Sequence, residues 1–481
     1  MANQNRATEV ARERDKEWFI FRKNREAVIA ALEEGRCDGI LPAARSFLDG
    51  FAEFCLEAGV LDAFDTFPDR RLRRSIPIFF FCNTLVYKPL FRLPRLKPIE
   101  RTLFRSPYIL HQLGFNARQI EEGFYQTEEG QRPFAAQTIA DTFAGARAED
   151  FLANQQEVLG ALWDYCPGQF RSALWAMDSV HVGVARGAHT PPQEFKACVL
   201  GVWQESVVWP LLWMFVSPEE AEVTVGRKLI AAAEEVLGEG TIQHLLVDRG
   251  YLDGKWLTEL HGRGTRVTMG VREDMRILED MINLSRLPEM GWEAAEPPKI
   301  RTGPQPTREI MGLSGMEAEW AGCDVPLSSC LIRDTYPDGE ERYRGLVTTH
   351  PDIPACDVLR DDRRRWTVEE VFMTLTRYWR FDDLAPCRLS VAYGIVHFAL
   401  VAYTLLGFYL QETGIAEDFA TFNKGPFPLP LPERELAVYV GPYFALLLAS
   451  ELITIILDHI DAWQANREKL LMALRITEGD T

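Results

Sequence analysis

The chain has 481 residues, 47% hydrophobic and 25% charged, which is the composition of a globular protein with room for two to four domains. Its net charge of −18 is unusual for a protein that holds DNA, so a nucleic-acid function would need a local basic surface. The nine cysteines include no CxxC pair, which argues against a zinc site and favours reduced thiols.

Residues 1–150 are predicted to form a helical N-terminal region, and the polar, charged start of the chain favours no secretory signal. Within this region, residues 70–105 (the basic segment) hold ten Lys or Arg residues against one acid, Glu100, with aromatic residues between them. The basic segment is the best candidate for contacts with DNA phosphates, and a solvated face with ion pairs is the alternative. The arginines expected to bind DNA are Arg70, Arg71, Arg73 and Arg74.

From residue 170 the pattern is that of an α/β domain. Hydrophobic periodicity predicts, in order, strands over 174–184, 195–204 and 207–216, a helix over 222–237, a strand over 244–248, a helix over 255–262 and a strand over 266–271. This is the element order of a ribonuclease H-like core. Glu222 opens the first of these helices, where an acid suits the positive helix terminus, and a supporting catalytic role is the alternative.

The predicted core is interrupted by an insertion and continues after it. Residues 273–342 are rich in proline and charge and read as a β-rich insertion, so that 170–272 and 343–410 together form the core. Residues 411–481 are expected to form C-terminal helices. Two apolar runs, Leu389–Tyr409 and Tyr443–Leu457, are predicted to be buried core helices and not membrane spans.

Three acids stand in the local settings that a two-metal nuclease site requires. Asp178 lies in a predicted buried strand, Asp248 follows the apolar run Leu245–Val247, and Glu369 lies near the predicted start of a periodic helix. Two Mg²⁺ ions about 4 Å apart need carboxylates that converge from separate elements. Asp178, Asp248 and Glu369 are therefore the predicted catalytic residues and metal ligands.

Helical periodicity separates Glu369 from its neighbour Glu370. Val368, Phe372 and Leu375 form one apolar stripe. At about 100° per residue, Glu369 lies roughly 90° from the centre of that stripe, whereas Glu370 points nearly opposite. Glu369 should therefore lie beside the core, and Glu370 should face water.

The motifs Ala176–Ser179, Leu246–Tyr251 and Arg365–Phe372 resemble, in the right order, the three acidic motifs of insertion-sequence DDE transposases. The resemblance covers roughly residues 170–410. The 121-residue gap from Asp248 to Glu369 is similar to that of members with a β-strand insertion before the glutamate. Those members carry a Tyr-x2-Arg-x3-Glu-x6-Lys signature.

This chain matches the signature in part. Arg365 and Glu369 occupy the Arg and Glu positions, whereas Asp362 and Thr376 replace the Tyr and the Lys. Arg377, one residue beyond Thr376, is the candidate for the missing phosphate contact.

The resemblance implies Mg²⁺-dependent cleavage and strand transfer of DNA, with Mn²⁺ as a substitute. Asp178 would bridge both ions, Asp248 and Glu369 would complete the metal shell, and Arg365 would orient a phosphate. An aromatic residue of the insertion would stack a flipped base; the candidates are Trp292 and Trp320, for which ordinary packing is the alternative.

The resemblance also implies the partners and the setting. They are double-stranded DNA at transposon ends, a homodimer in the DNA complex, no membrane, and a cytoplasmic, nucleoid-associated location. The alternative function is that of a transposase-derived DNA-binding protein without catalytic activity, which the replaced Tyr and Lys leave open.

Overall fold

The structure is a computed structural model. It describes residues 18–44, 48–72, 74–127, 130–168, 174–185, 193–204, 206–298, 303–382, 384–385, 387–415, 419 and 434–464.

The strands, in chain order, are β1 (Arg22–Lys23), β2 (Gly39–Ala44), β3 (Tyr125–Thr127), β4 (Gly130–Arg132), β5 (Leu174–Val184), β6 (Gln193–Gln204), β7 (Val207–Val216), β8 (His244–Val247), β9 (Arg266–Gly270), β10 (Glu293–Ala295), β11 (Thr307–Ser314), β12 (Ser328–Thr335), β13 (Glu341–Thr348), β14 (Arg434–Val440) and β15 (Tyr443–Leu448).

The α-helices are α1 (Arg25–Glu33), α2 (Phe51–Glu57), α3 (Val60–Asp65), α4 (Ile78–Leu90), α5 (Ile99–Thr102), α6 (Pro107–Gln112), α7 (Ala117–Glu122), α8 (Ala136–Phe143), α9 (Ala148–Tyr165), α10 (Glu222–Leu237), α11 (Gly254–Gly262), α12 (Arg276–Leu284), α13 (Ala355–Arg377), α14 (Leu389–Thr413), α15 (Ala449–Asp458) and α16 (Ile460–Trp463). Short 3-10 helices lie at Arg249–Tyr251 and Met316–Glu319.

The chain divides into two compact units. The sheet unit comprises Gln155–Gly183 and Gln193–Leu375, and the helical unit comprises Met1–Asn154, Val184–Pro192 and Thr376–Thr481.

The sheet unit is built on one mixed sheet with the strand order β10-β11-β12-β13-β9-β8-β5-β6-β7. β5, β8 and β9 are parallel, whereas β6 and β7 form an antiparallel pair. The order β7-β6-β5-β8-β9 is that of a ribonuclease H-like core, so the predicted fold class is confirmed. β13 pairs antiparallel with β9, and through it the predicted β-rich insertion, with β10, β11 and β12, extends the same sheet.

Apolar residues on the strands and on one face of each helix hold this core together. β7 is a continuous apolar run, and β5 and β6 each bury an unbroken stretch, Leu174–Asp178 and Phe195–Val202, because a sheet covered on both faces buries successive side chains. α10 packs on β6 and β7 and buries Val225, Leu229 and Ala233. α11 packs on β9 and buries Trp256 and Leu260. Because β5 and β8 are parallel neighbours, their carboxyl ends lie at the same edge of the sheet.

α13 begins earlier than its sequence pattern predicts. It starts at Ala355, directly after Pro354, so Glu369 lies in the interior of the helix and the prediction of a start near Arg365 is wrong. The reason is that the first half of α13 buries charged side chains, Asp361, Asp362 and Arg365, alongside apolar ones. These buried ion pairs interrupt the regular spacing of apolar residues from which the start of the helix was predicted.

The core of the helical unit contains α14, which packs against α4. α14 is long and apolar enough to cross a membrane by length and composition, yet 78% of its most apolar window is buried inside the protein. It is therefore the buried core helix that the sequence predicts. α4 is likewise buried along its whole length, from Ile78 to Leu90.

The C-terminal region is not purely helical. Of the run Tyr443–Leu457, the first part is the strand β15, and only the part from Ala449 is helical, so the prediction of one helix there is wrong. β14 and β15 form an antiparallel hairpin inside the sheet β1-β15-β14-β2. Gly441 adopts the left-handed conformation at the hairpin turn, and the Gly441–Pro442 pair is the turn signal that marks it. Leu470–Leu474, expected to be helical, lies outside the described residues.

A buried histidine in the helical unit makes folding sensitive to acid. His397 of α14 is fully buried, and its Nε2–H donates to Asn154 Oδ1 at 2.9 Å. Burial lowers the pKa of His397 to about 3. The unfolded chain therefore takes up a proton below about pH 6.5 while the folded chain does not, so stability is full above that pH and falls as the pH drops towards 3.

We predict that His397→Gln removes part of this acid sensitivity. Between pH 7 and pH 5 the free energy of unfolding of the wild type should fall by about 2 kcal/mol more than that of the variant. Urea denaturation at the two pH values measures the difference. Phe398→Leu is the control, because it should lower the free energy of unfolding equally at both. Parallel pH dependence in the wild type and His397→Gln would contradict the prediction.

Candidate active site

Parallel pairing of β5 with β8 brings two of the three predicted acids together. The register pairs Ala176 with Leu246 and Met177 with Val247. The next residues along the two strands are Asp178 and Asp248. Because neighbouring parallel strands lie about 4.8 Å apart and paired residues point to the same face, the two carboxylates are side by side.

A turn after β8 holds the Asp248 carboxylate in place. Asp248 caps the 3-10 helix Arg249–Tyr251, and its Oδ1 accepts a hydrogen bond from the Gly250 N–H at 2.7 Å. On β5, Asp178 Oδ1 accepts a hydrogen bond from the Ser179 N–H at 2.8 Å. Each carboxylate thus has one oxygen bound to backbone, which leaves the other for a further partner.

Arg365 connects Glu369 to this pair. Its Nη1 lies 3.2 Å from Glu369 Oε1, one turn along α13, and 3.4 Å from Asp178 Oδ2. Its Nε lies 3.7 Å from Asp362 Oδ1. The Arg365 side chain is only 10% exposed, so three carboxylates surround one buried guanidinium. Glu370 is exposed, as the helical period predicts.

The carboxylates of the site are difficult to ionise together. Burial, with the nearby Asp248 carboxylate, raises the pKa of Asp178 to about 7. Burial also raises the pKa of Asp248, and the Glu222 carboxylate adds to the rise. A bound cation would favour the ionised form of both groups.

The carboxylate oxygens of the site are suitable ligands for a hard divalent cation, although they do not form a complete metal site as they stand. Within the described ranges, no three His, Cys, Asp or Glu side chains form a ready metal site. The guanidinium of Arg365 contacts both Asp178 and Glu369. Carboxylate oxygens are the ligands that Mg²⁺ and Mn²⁺ take, so Asp178 and Asp248 fit as they stand and Glu369 would join them on release from Arg365.

A cleft of about 330 Å³ opens beside the acids. It is lined by Asp248, Arg249, Gly270, Val271, Glu273, Leu278, Tyr343, Arg344, Gly345, Leu346, Asp362, Arg365, Trp366 and Glu369. Trp366 is 48% exposed, which is high for a large aromatic residue. The cleft therefore joins the acids to an aromatic surface and to Arg249 and Arg344.

Sequence reasoning did not select several of these residues. Arg344 comes from β13 and lies 3.4 Å from Asp362 Oδ2, so Asp362, at the position of the signature Tyr, is bound by two arginines. Arg344 could have been selected from the sequence, because residues 343–410 were predicted to belong to the core. For Trp366, the one feature of the sequence that could have suggested a place in the site is its position next to Arg365.

The aromatic candidates in the insertion are in different surroundings. Trp292 is half-buried, with the Arg333 guanidinium 4.2 Å from its ring centre and Tyr343 at 6.4 Å. Trp320 is half-buried after the 3-10 helix Met316–Glu319. Neither lines the cleft that holds the acids.

The basic segment is only partly available for DNA. Arg70 forms an ion pair with Asp150 at 2.5 Å, and Arg71 forms one with Asp69 at 2.6 Å. Arg74 is exposed, whereas Arg73 lies outside the described residues. The aromatic residues between the basic ones, Phe79, Phe80, Phe81, Tyr87 and Phe104, are buried in the core and are not available to DNA.

The exposed charge lies further along the segment, at Arg95, Lys97, Arg101 and Arg105. Arg377, the candidate for the missing phosphate contact, is exposed at the end of α13, with its guanidinium 5.8 Å from the Tyr378 ring centre.

Comparison with known proteins identifies the domain. Residues 210–405 match the family described as the transposase DDE domain. The match contains Asp248, Arg365 and Glu369, whereas Asp178 precedes it. No curated protein sequence matches the chain.

Among solved structures, the chain is similar to a piggyBac transposase, determined by cryo-EM as a synaptic complex with hairpin DNA. The identity is 10%, the TM-score is 0.38, and the alignment covers 80% of this chain and 81% of that one. A similarity this low adds nothing about individual residues or mechanism. Residues 210–405, less than half of the chain, are thus similar to the transposase DDE domain.

Proposed function

We propose that this protein cuts and joins the DNA ends of an insertion sequence by metal-dependent phosphodiester chemistry, with Asp178, Asp248 and Glu369 as its catalytic carboxylates. The observation that carries the proposal is the register of β5 and β8, which sets Asp178 beside Asp248. Arg365 adds support because it ties Glu369 to the same point.

The metal is proposed to be Mg²⁺, with Mn²⁺ as a substitute. The donors are all carboxylate oxygens, which suit a hard cation and not zinc. When bound, a pair of such ions activates a water or a DNA 3′-OH and stabilises the leaving oxygen.

The residues of the chain have separate tasks. Asp178 and Asp248 would hold the cations from the sheet, and Glu369 would hold them from α13. Arg365 would exchange its carboxylate partners for a phosphate of the DNA, since a planar guanidinium binds both groups with two hydrogen bonds. Double-stranded transposon ends are the proposed substrate, and a homodimer is proposed for the DNA complex.

Replacing Asp178 tests the catalytic assignment. We predict that Asp178→Asn keeps the fold and DNA affinity but abolishes cleavage of the element's own ends in Mg²⁺, because an amide is nearly isosteric but carries no charge to hold the metal. Mg²⁺ should raise the unfolding temperature of the wild type and not that of the variant. The control is Asp164→Asn, an exposed acid of α9.

Undiminished cleavage by Asp178→Asn would refute the assignment. Absence of cleavage in the wild type itself, with DNA binding retained, would favour the alternative of a catalytically silent DNA-binding protein.

Two adjacent residues of α13 provide a matched pair. We predict that Glu369→Gln slows cleavage at least about 100-fold. Even the mutation of a residue that contacts a metal ligand, without binding the metal itself, lowers metal affinity or activity about 10–100-fold. Glu370→Gln should leave the rate near that of the wild type, because Glu370 is exposed on another face. Single-turnover cleavage rates compare the two. Equal losses in both variants would exclude Glu369 as the third ligand.

The exposed end of the basic segment is the proposed phosphate-binding surface. We predict that the combined variant Arg95→Ala, Lys97→Ala, Arg101→Ala and Arg105→Ala flattens the dependence of log affinity on log salt by about 0.9 for each lost phosphate contact. Arg70→Ala with Arg71→Ala is the comparison, and it should lower the unfolding temperature with a smaller effect on the slope, because both arginines form ion pairs.

Affinity for duplex DNA across a salt series gives the slopes. If the fourfold variant keeps the wild-type slope, DNA binds elsewhere on the protein.

A further inference from the structure

A fourth carboxylate, that of Glu222, lies at the same site. Glu222 is the first residue of α10, and its side chain is 18% exposed. Its Oε1 accepts a hydrogen bond from Ser179 Oγ at 2.6 Å and lies 3.7 Å from Lys196 Nζ. Ser179 follows Asp178 on β5, so one oxygen of Glu222 is anchored at the part of β5 that carries the proposed metal ligand.

The other oxygen, Oε2, faces Asp248. A Cβ atom placed on Gly250 would lie 1.7 Å from Glu222 Oε2 and 2.9 Å from Asp248 Oδ1. Gly250 has no left-handed backbone angle, so its conformation does not require a glycine. The glycine of the Asp-Arg-Gly-Tyr motif leaves the space in which these two carboxylates approach each other.

Tyr251 provides an independent sign that a group is missing here. The residue is fully buried, and its hydroxyl has no hydrogen-bond partner in the part of the chain that the structure describes. The hydroxyl lies within electrostatic reach of Glu222, Asp178 and Asp248. Burying an unpaired hydroxyl is unfavourable, so the site is expected to receive a polar ligand, such as water on a cation.

Formal charges agree with this reading. In the described part of the chain, the four carboxylates of Asp178, Asp248, Glu369 and Glu222 have two buried cationic neighbours, Arg365 and Lys196, which leaves a formal charge of −2 before the exposed Arg249 near Asp248 is counted. Buried carboxylates in such excess are costly without a counter-ion, and one divalent cation would neutralise them.

We propose that Glu222 is a fourth carboxylate of the active site, which shares with Asp248 the binding of a divalent cation, while Ser179 and Lys196 position it. The inference rests on the proposed metal-dependent function. The competing explanation is that Glu222 serves only the N-terminus of α10 and the charge of Lys196.

Binding of Mn²⁺ to the full chain without DNA, followed by electron paramagnetic resonance, separates the two explanations. Glu222→Gln keeps an oxygen for Ser179 but removes the charge, and it should weaken Mn²⁺ binding about 10- to 100-fold. Glu220→Gln is the matched control, since Glu220 lies two residues earlier and its carboxylate pairs with Lys228 at 3.6 Å. It should bind Mn²⁺ as the wild type does.

Asp178→Asn distinguishes failure of this inference from failure of the proposed function. If Asp178→Asn loses Mn²⁺ binding and Glu222→Gln retains it, Glu222 is not a metal ligand, although the proposed function stands. If both variants bind Mn²⁺ like the wild type, the proposed metal site itself is wrong.

A double-mutant cycle tests the geometry without depending on one variant. Gly250→Ala should displace the Glu222 carboxylate and weaken Mn²⁺ binding by a factor similar to that of Glu222→Gln. In a Glu222→Ala background the same Gly250→Ala change should have a clearly smaller effect, because the severe clash at 1.7 Å is gone and only the contact with Asp248 Oδ1 at 2.9 Å remains. Equal effects of Gly250→Ala in both backgrounds would overturn the proposal.

Discussion

The active-site geometry depends on one constraint, the parallel register of β5 and β8. Because Met177 pairs with Val247, Asp178 and Asp248 follow at matched positions on the same face of the sheet. A shift of one residue in either strand would turn one carboxylate to the opposite face. Apolar residues enforce the register, since the residues that precede each acid are buried.

Charge balance is the second constraint, and it explains the unusual interior of α13. Asp361 is bound by Arg364 and lies near His244, and Asp362 is bound by Arg344 and Arg365. These pairs fix the helix against the sheet at the cost of desolvating several charges. Arg365 is the one member that also reaches Asp178 and Glu369, and thus connects the helix to the strand acids.

Much of the sheet unit could be predicted from the sequence because its elements follow simple periods. The strands Leu174–Val184 and Val207–Val216 and the helix Glu222–Leu237 were predicted with their observed bounds. The exposure of Glu370 also followed from the helical period. Predictions were wrong where charge or chain reversal decides the structure: buried ion pairs hid the first half of α13, and the turn at Gly441 divides an apolar run into a strand and a helix.

The site was harder to predict than the fold because it depends on contacts between distant residues. Arg70 was predicted to bind DNA, yet its partner Asp150, 80 residues further along the chain, could be assigned only in the folded chain. Likewise, nothing local to Gly250 shows that its missing side chain makes room for Glu222. Asp178 and Asp248 were accessible to prediction because each ends or interrupts a strongly apolar strand.

The most direct test of the central claim, that Asp178 and Asp248 jointly bind a divalent cation, is a crystal of the protein soaked in MnCl₂ and measured at a wavelength where manganese scatters anomalously. The expected result is an anomalous peak between the carboxylates of Asp178 and Asp248, with the Arg365 guanidinium moved away from Asp178. An empty space between the two aspartates at saturating manganese, with Arg365 still bound to Asp178, would contradict the claim.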